Sequence, residues 1–170
     1  DLRLREMETV DTTINTVSGT QSYDLPTGYL EMRYVLYQSS PYKFLYFMAP
    51  PDFFRVYNDG EASGSPTYYT IVGDKIYLGP KPDAAKVLEL GFFKRPTALS
   101  VTNTTNEILT NFPDLYLYAS LAESAPFLVQ DERLAIWAQL YKEAVKTANE
   151  SAQRGRESSA PLQMSTNRVV

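Results

Sequence analysis

Three carboxylates, Asp52, Asp59 and Glu61, lie close together in the sequence and come nearest to a reactive cluster. Such a set could hold a calcium ion, or serve the paired acid and base roles of a glycosidase. The same residues equally suit a solvated loop with an acidic residue at a helix start, and that is the reading taken here. The stretch from Asn58 to Ser65 contains Gly60 and Gly64 and could cradle a phosphate. It lacks the lysine of a P-loop and does not lead from a strand into a helix, so it reads as an exposed hairpin or linker. Histidine and cysteine are absent from all 170 residues. That removes the commonest general base, the commonest metal ligand, every Ser-His or Cys-His pair, and all disulfides and thiolate metal sites. No catalytic, cofactor-binding or metal-ligating residue is expected, and no enzymatic activity.

Tyrosine is the remaining residue type with binding chemistry, at 13 copies beside 8 Phe and 1 Trp. Exposed rings stack on sugar faces, and Tyr42, Tyr46, Tyr68, Tyr69 and Tyr77 are the candidates for such a face. Tyrosines also pack within sheets, and they are enriched at protein–protein interfaces. A β-sandwich carbohydrate-binding module of a phage tail is therefore one reading, and an assembly protein is the other. The net charge of −4 speaks against a protein that grips nucleic acid. Arg154, Arg156 and Arg168 are scattered rather than gathered in a basic patch. No apolar run approaches the roughly 20 residues of a membrane span.

These side chains must be positioned by two kinds of element. From Thr9 to Arg95 the pattern is that of strands. Thr9–Val17 is rich in β-branched residues, and Tyr23–Leu25 is a short partner strand ended by Pro26. Tyr29–Tyr37 alternates, with Leu30, Met32, Tyr34 and Leu36 on one face and Glu31, Arg33, Val35 and Tyr37 on the other. Lys43–Met48 is an apolar strand, and Pro50-Pro51-Asp52 opens a short helix through Tyr57. Thr67–Val72 and Lys75–Gly79 form a hairpin about Gly73-Asp74, whose leading glycine fits a type II′ turn. Lys86–Arg95 is the last strand. With no long helix between them, these strands predict two small antiparallel sheets packed face to face.

Beyond Pro96 the period changes. Residues 97 to 111 are rich in Thr and Asn and read as a connecting loop. Asn111-Phe112-Pro113-Asp114 then starts a helix that runs to Pro126. Asp131 and Glu132 open a second helix, whose stripe of Leu134, Trp137, Ala138, Tyr141, Val145, Ala148 and Ala152 is apolar. Gly155 is its expected stop. The stripe is either an ordinary core face or the seam of a homo-oligomer. Residues 157 to 170 have no sustained period and predict an extended tail. Asp1–Glu8 fits either the last turns of a helix or a short strand.

The segment from Asn111 through Pro113-Asp114-Leu115-Tyr116 and Glu123-Ser124-Ala125-Pro126 to Phe127-Leu128 resembles a recurring segment of bacteriophage head-to-tail connector adaptors. So does the following Asp131–Trp137 with Tyr141. Upstream, Leu2–Glu8, Tyr23-Asp24-Leu25-Pro26, Gly64–Thr70 and Ile76–Asp83 stand in the family's order. The resemblance implies an α+β protein with an antiparallel β-sandwich-like domain inserted into a helical bundle, and a long C-terminal helix followed by an extended tail. Residues 1 to 8 would then end an N-terminal helical segment whose earlier part precedes Asp1. Residues 9 to 96 would be the inserted domain, 97 to 156 the connector and 157 to 170 the tail. It further implies a homo-dodecameric ring at the head-to-tail interface of the virion, assembled in the host cytoplasm. The ring would contact the portal protein above and a downstream tail protein below, and DNA would pass through it unread. On this expectation Arg154, Arg156, Pro161, Leu162, Met164 and Arg168 dock on the portal. Leu134, Trp137, Tyr141 and Val145 form the helix-packing or oligomer seam.

Overall fold

A computed structural model describes residues 2–57, 63–124 and 133–157. The chain forms two compact units: one is Met7–Pro96, and the other joins the described residues of Asp1–Glu6 and Thr97–Val170. Each is treated on its own below.

The first unit is built on one mixed sheet of seven strands in the order β1-β7-β3-β4-β5-β6-β2. The strands are β1 (Glu8–Asn15), β2 (Ser22–Asp24), β3 (Tyr29–Tyr37), β4 (Lys43–Phe47), β5 (Tyr68–Val72), β6 (Lys75–Gly79) and β7 (Val87–Lys94). A single sheet thus replaces the two antiparallel sheets expected. Its neighbours are antiparallel except β4 and β5, which run parallel through Tyr46–Tyr68 and Phe47–Tyr69. The reason is the connection. Residues 48 to 67, with helix α1 (Pro50–Val56) among them, are enough chain to return β5 to the end where β4 began. The α1 start has Pro50 and Pro51 in its first positions, where a missing N–H costs nothing.

The core explains why the sheet curls. Val35, Tyr37, Leu45, Tyr69, Ile76, Leu78, Leu88, Leu90 and Phe92 form one buried cluster. Ile14 of β1 and Tyr23 of β2, from the two ends of the strand order, pack on that same cluster. A sheet whose outermost strands reach one core has to bend around it. The turn at Gly73 has φ 62°, the left-handed value that the first position of a II′ turn demands and that glycine adopts without strain.

In β3 the core takes Tyr29, Met32, Val35 and Tyr37, whereas Leu30 is exposed. This differs from the simple alternation because the β3–β7 register shifts twice, between Tyr29 and Glu31 and between Met32 and Tyr34. Each shift inserts an extra residue and exchanges the two faces.

The second unit contains α2 (Glu107–Asn111), α3 (Pro113–Glu123) and α4 (Leu134–Glu157). Helix α2 lies in the stretch expected to be a loop. Asn106 caps it by accepting from the Leu109 N–H at 2.8 Å, and the Asn106 amide also donates to Tyr116 Oη at 2.7 Å. The start of α3 follows expectation, with Pro113 in its first turn and Asp114 behind it. Helix α4 passes Gly155 and ends at Glu157, so the glycine does not stop it. The expected helix start at Asp131 and Glu132 lies outside the described residues. Near the far end of α4, Asn149 Oδ1 accepts from the Arg3 backbone N–H at 2.8 Å, and Leu4, Ala148 and Ala152 are buried.

Candidate functional site

Of the three carboxylates Asp52, Asp59 and Glu61, Asp52 alone lies among the described residues. Asp52 pairs with Arg55 one helical turn on at 3.1 Å, and both side chains are exposed. Asp59 and Glu61, with the rest of the glycine-bearing loop through Ala62, lie outside the described residues. Among the described residues no group of three acidic, His or Cys side chains is placed to hold a metal. The resolved proton affinities have structural causes. Burial raises the phenols of Tyr23, Tyr29, Tyr34 and Tyr69, and a hydrogen bond from Lys75 Nζ to Asp24 at 2.6 Å raises that ammonium. None of these is a poised acid or base.

What the molecule does present is surface. On α4 the stripe divides along its length. Ala148 and Ala152 are buried, Trp137, Ala138 and Val145 are half-buried, and Leu134 and Tyr141 remain 39% and 38% exposed. Helix α3 packs on a face of α4 that takes in Ala148 of the stripe. The cleft between them, about 280 Å³, is lined by Leu115 and Tyr118 of α3 and by Leu140, Ala144 and Thr147 of α4. At 100° per residue, those α4 positions sit about a third of a turn away from Leu134, Tyr141 and Val145. Among the described residues, Leu134 and Tyr141 in the first half of the stripe remain exposed. Arg133 stacks on Trp137 at 5.2 Å, and Ile136 is exposed beside it. Of the expected docking residues, Arg154 is exposed, with Nε reaching the Glu150 carbonyl at 3.4 Å. The side chain of Arg156 and the whole of Pro161, Leu162, Met164 and Arg168 lie outside the described residues.

The second surface is the outer face of the sheet. Tyr34 on β3 meets Phe44 on β4 nearly edge-on, with centroids 6.0 Å apart. Tyr46 on β4 meets Tyr68 on β5 at 6.3 Å, and Tyr68 meets Tyr57 beyond α1 at 6.2 Å. Phe53 and Phe54 of α1 continue the row, and Phe54 lies 5.3 Å from Tyr77 of β6. Phe44 and Tyr46 are 57% and 64% exposed. Two glycines make room for this layer. A Cβ at Gly91 would overlap the Tyr34 ring, and one at Gly79 would come within 2.5 Å of Tyr57.

The five tyrosines picked from the sequence therefore part company. Tyr42 and Tyr46 are exposed, Tyr68 and Tyr77 are half-covered within the aromatic row, and Tyr69 is in the core. Sequence reasoning missed Phe44 and expected Phe54 to pin α1 to the core, whereas Phe54 is exposed. The signal for Phe44 was present in Lys43–Phe47, where aromatic side chains occupy both faces of a strand that can bury only one.

Comparison with known families gives a match over nearly the whole chain: the family described as SU10 adaptor protein covers residues 1–165. No curated protein matches.

Proposed function

The chain belongs to the SU10 adaptor protein family, and we propose that it is the virion adaptor that joins the portal to the tail as a ring. The family match speaks for a structural component of a phage rather than an enzyme. The observation that carries the finer reading is the open stripe on α4. A helix that leaves Leu134 and Tyr141 exposed beside half-buried Trp137 and Val145 supports a seam between neighbouring copies, twelve in the proposed ring. Interfaces are enriched in the same aromatic types.

In this reading residues 9 to 96 are an insertion, 97 to 156 form the connector, and the segment from Glu157 docks on the portal. Leu162 and Met164 are its apolar anchors, Arg154 and Arg156 pair with portal acids, and Pro161 and Arg168 belong to the same docking surface. A downstream tail protein binds below. The net charge of −4 fits a channel through which DNA moves without being held, because attraction would retain it. No described helix is long and apolar enough to cross a membrane.

The test uses the full chain and its cognate portal ring, read by light scattering. Deletion of Pro161–Val170 should abolish portal binding while leaving the circular dichroism spectrum unchanged. Leu134→Asp should lower the number of copies recruited per portal. Undiminished binding by the deletion variant would remove the docking role from the tail, and undiminished stoichiometry in Leu134→Asp would remove the seam from α4.

A further inference from the structure

We infer that Arg5 joins Arg154 at the last turn of α4 in a composite site for a carboxylate of the portal. The inference rests on the portal-docking reading and deepens it. It adds a residue from a distant part of the sequence, and it makes the site a feature of the folded helical unit rather than of the C-terminal segment alone.

The fold assembles this site. The chain before Arg5 is fastened to the far end of α4, where the Arg3 backbone N–H donates to Asn149 Oδ1 at 2.8 Å and Leu4 is fully buried. That anchoring fixes where Arg5 emerges. Its side chain is exposed, and its Nη1 lies 3.8 Å from the point that a Cβ on Gly155 would occupy. The guanidinium is therefore laid against α4 at Gly155, the neighbour of exposed Arg154. Consecutive helix positions are about 100° apart, so the two cations sit on adjoining sides of one turn. Arg154 Nε reaches the Glu150 carbonyl at 3.4 Å, which leaves its two terminal nitrogens to other acceptors.

Charge selects the occupant. Among the described residues, neither Arg5 nor Arg154 has a carboxylate partner. The acids beside them in the sequence turn to other groups: Glu6 Oε1 accepts from Asn111 Nδ2 at 3.5 Å, and Glu150 faces Lys146 at 3.8 Å. The carbonyl end of a helix steadies a cation but does not cancel its charge. A guanidinium presents its donors in a planar fork that matches a carboxylate, and two forks on one turn can hold a single carboxylate from two sides. Nucleic acid phosphates share this chemistry but fit less well. A phosphate chain binds through many cations at once, whereas here the whole chain carries −4 and Glu6 stands next to Arg5.

The experiment titrates the full chain onto its cognate portal ring and reads the affinity. Arg5→Gln and Arg154→Gln should each weaken binding about three- to fivefold at low salt, the range for an exposed charge pair. Because both forks hold one carboxylate, the double variant should lose clearly less than the product of the two single losses. Raising NaCl from about 50 to 500 mM should bring each single loss below about twofold. Gly155→Leu keeps both charges but puts a side chain where the Arg5 fork rests, and it should weaken binding about as much as Arg5→Gln. Gly155→Ala, whose Cβ meets the fork at an ordinary contact distance, should leave binding unchanged. All three positions are exposed, and unchanged circular dichroism spectra would establish that the variants fold. If the wild-type chain does not bind the portal, the docking reading fails and this inference with it. If the wild type binds and Arg5→Gln binds equally well, the inference alone is overturned. Losses that multiply in the double variant, or competition by a short DNA duplex, would also overturn it.

Discussion

The two units solve the same problem to different degrees. In the β unit every strand gives residues to one cluster, and Val35, Ile76, Leu78, Leu88 and Leu90 are completely shielded from water. In the helical unit the described residues bury Leu4, Ile108, Leu115, Ala148 and Ala152, while Leu134, Ile136 and Tyr141 stay open. Two of the buried helical residues are alanines, which remove little apolar surface from water. Both units keep apolar side chains exposed, Phe44, Tyr46 and Phe47 of the β unit among them; the difference lies in the core beneath, which in the β unit is built of large side chains fully shielded from water. The contrast predicts that stability responds most strongly to the β core.

The largest effect should come from the closed core. Leu90→Ala removes a fully buried side chain, and the cavity left behind should cost about 2–5 kcal/mol. Thermal unfolding followed by near-ultraviolet circular dichroism should show the midpoint falling by about 10 °C or more. A shift of only one or two degrees would mean that the cluster is looser than its burial implies, and the contrast between the units would dissolve. A smaller effect should come from the helical side. Asn106→Ala removes the cap on α2 and the donor to Tyr116, at a cost of about 1 kcal/mol in chemical unfolding followed at 222 nm. If this change cost as much as Leu90→Ala, the helical unit would be the more cooperative of the two.

The mildest probe is alkaline pH. Burial raises the phenols of Tyr29 and Tyr69 in the fold above the ordinary value of 10.0, so the folded chain holds their protons after the unfolded chain has begun to lose them. Their contribution to stability is then full below pH 10 and declines as pH rises through the raised folded values. Absorbance at 295 nm should show a late-ionising fraction that disappears in denaturant. A single transition shared by all the tyrosines would show that the core is open to hydroxide.

Much of this division was legible from residues alone. The strand spans were readable because β-branched and aromatic runs end at Gly and Pro. Both Tyr29–Tyr37 and Lys75–Gly79 appear at the boundaries that pattern implies. What could not be read was decided by tertiary geometry. The two bulges in β3 carry no distinctive residue, yet they bring Met32 inward and leave Leu30 outside. The parallel pairing of β4 and β5 depends on where a connection lands, not on what the strands contain. Helix α2 was hidden because a single cap, Asn106, starts a helix too short to show a period. At Gly155 the helical backbone on either side outweighs a residue that elsewhere ends helices. The aromatic face was half visible. The rings could be counted, but sorting Tyr68 outward and Tyr69 inward required the register.

The strand at one end of the sheet has a consequence for crowding. The β1 register slips between Asp11 and Ile14, and the Asp11 carboxylate takes the Thr13 N–H at 2.6 Å. That closes off, within the strand itself, a donor that would otherwise wait for an incoming chain. A smooth edge with free N–H groups is a template for strand addition, and the hazard grows with local concentration. The kink at Asp11 interrupts the template midway. An incoming strand would meet a broken edge at β1 rather than a continuous row of donors.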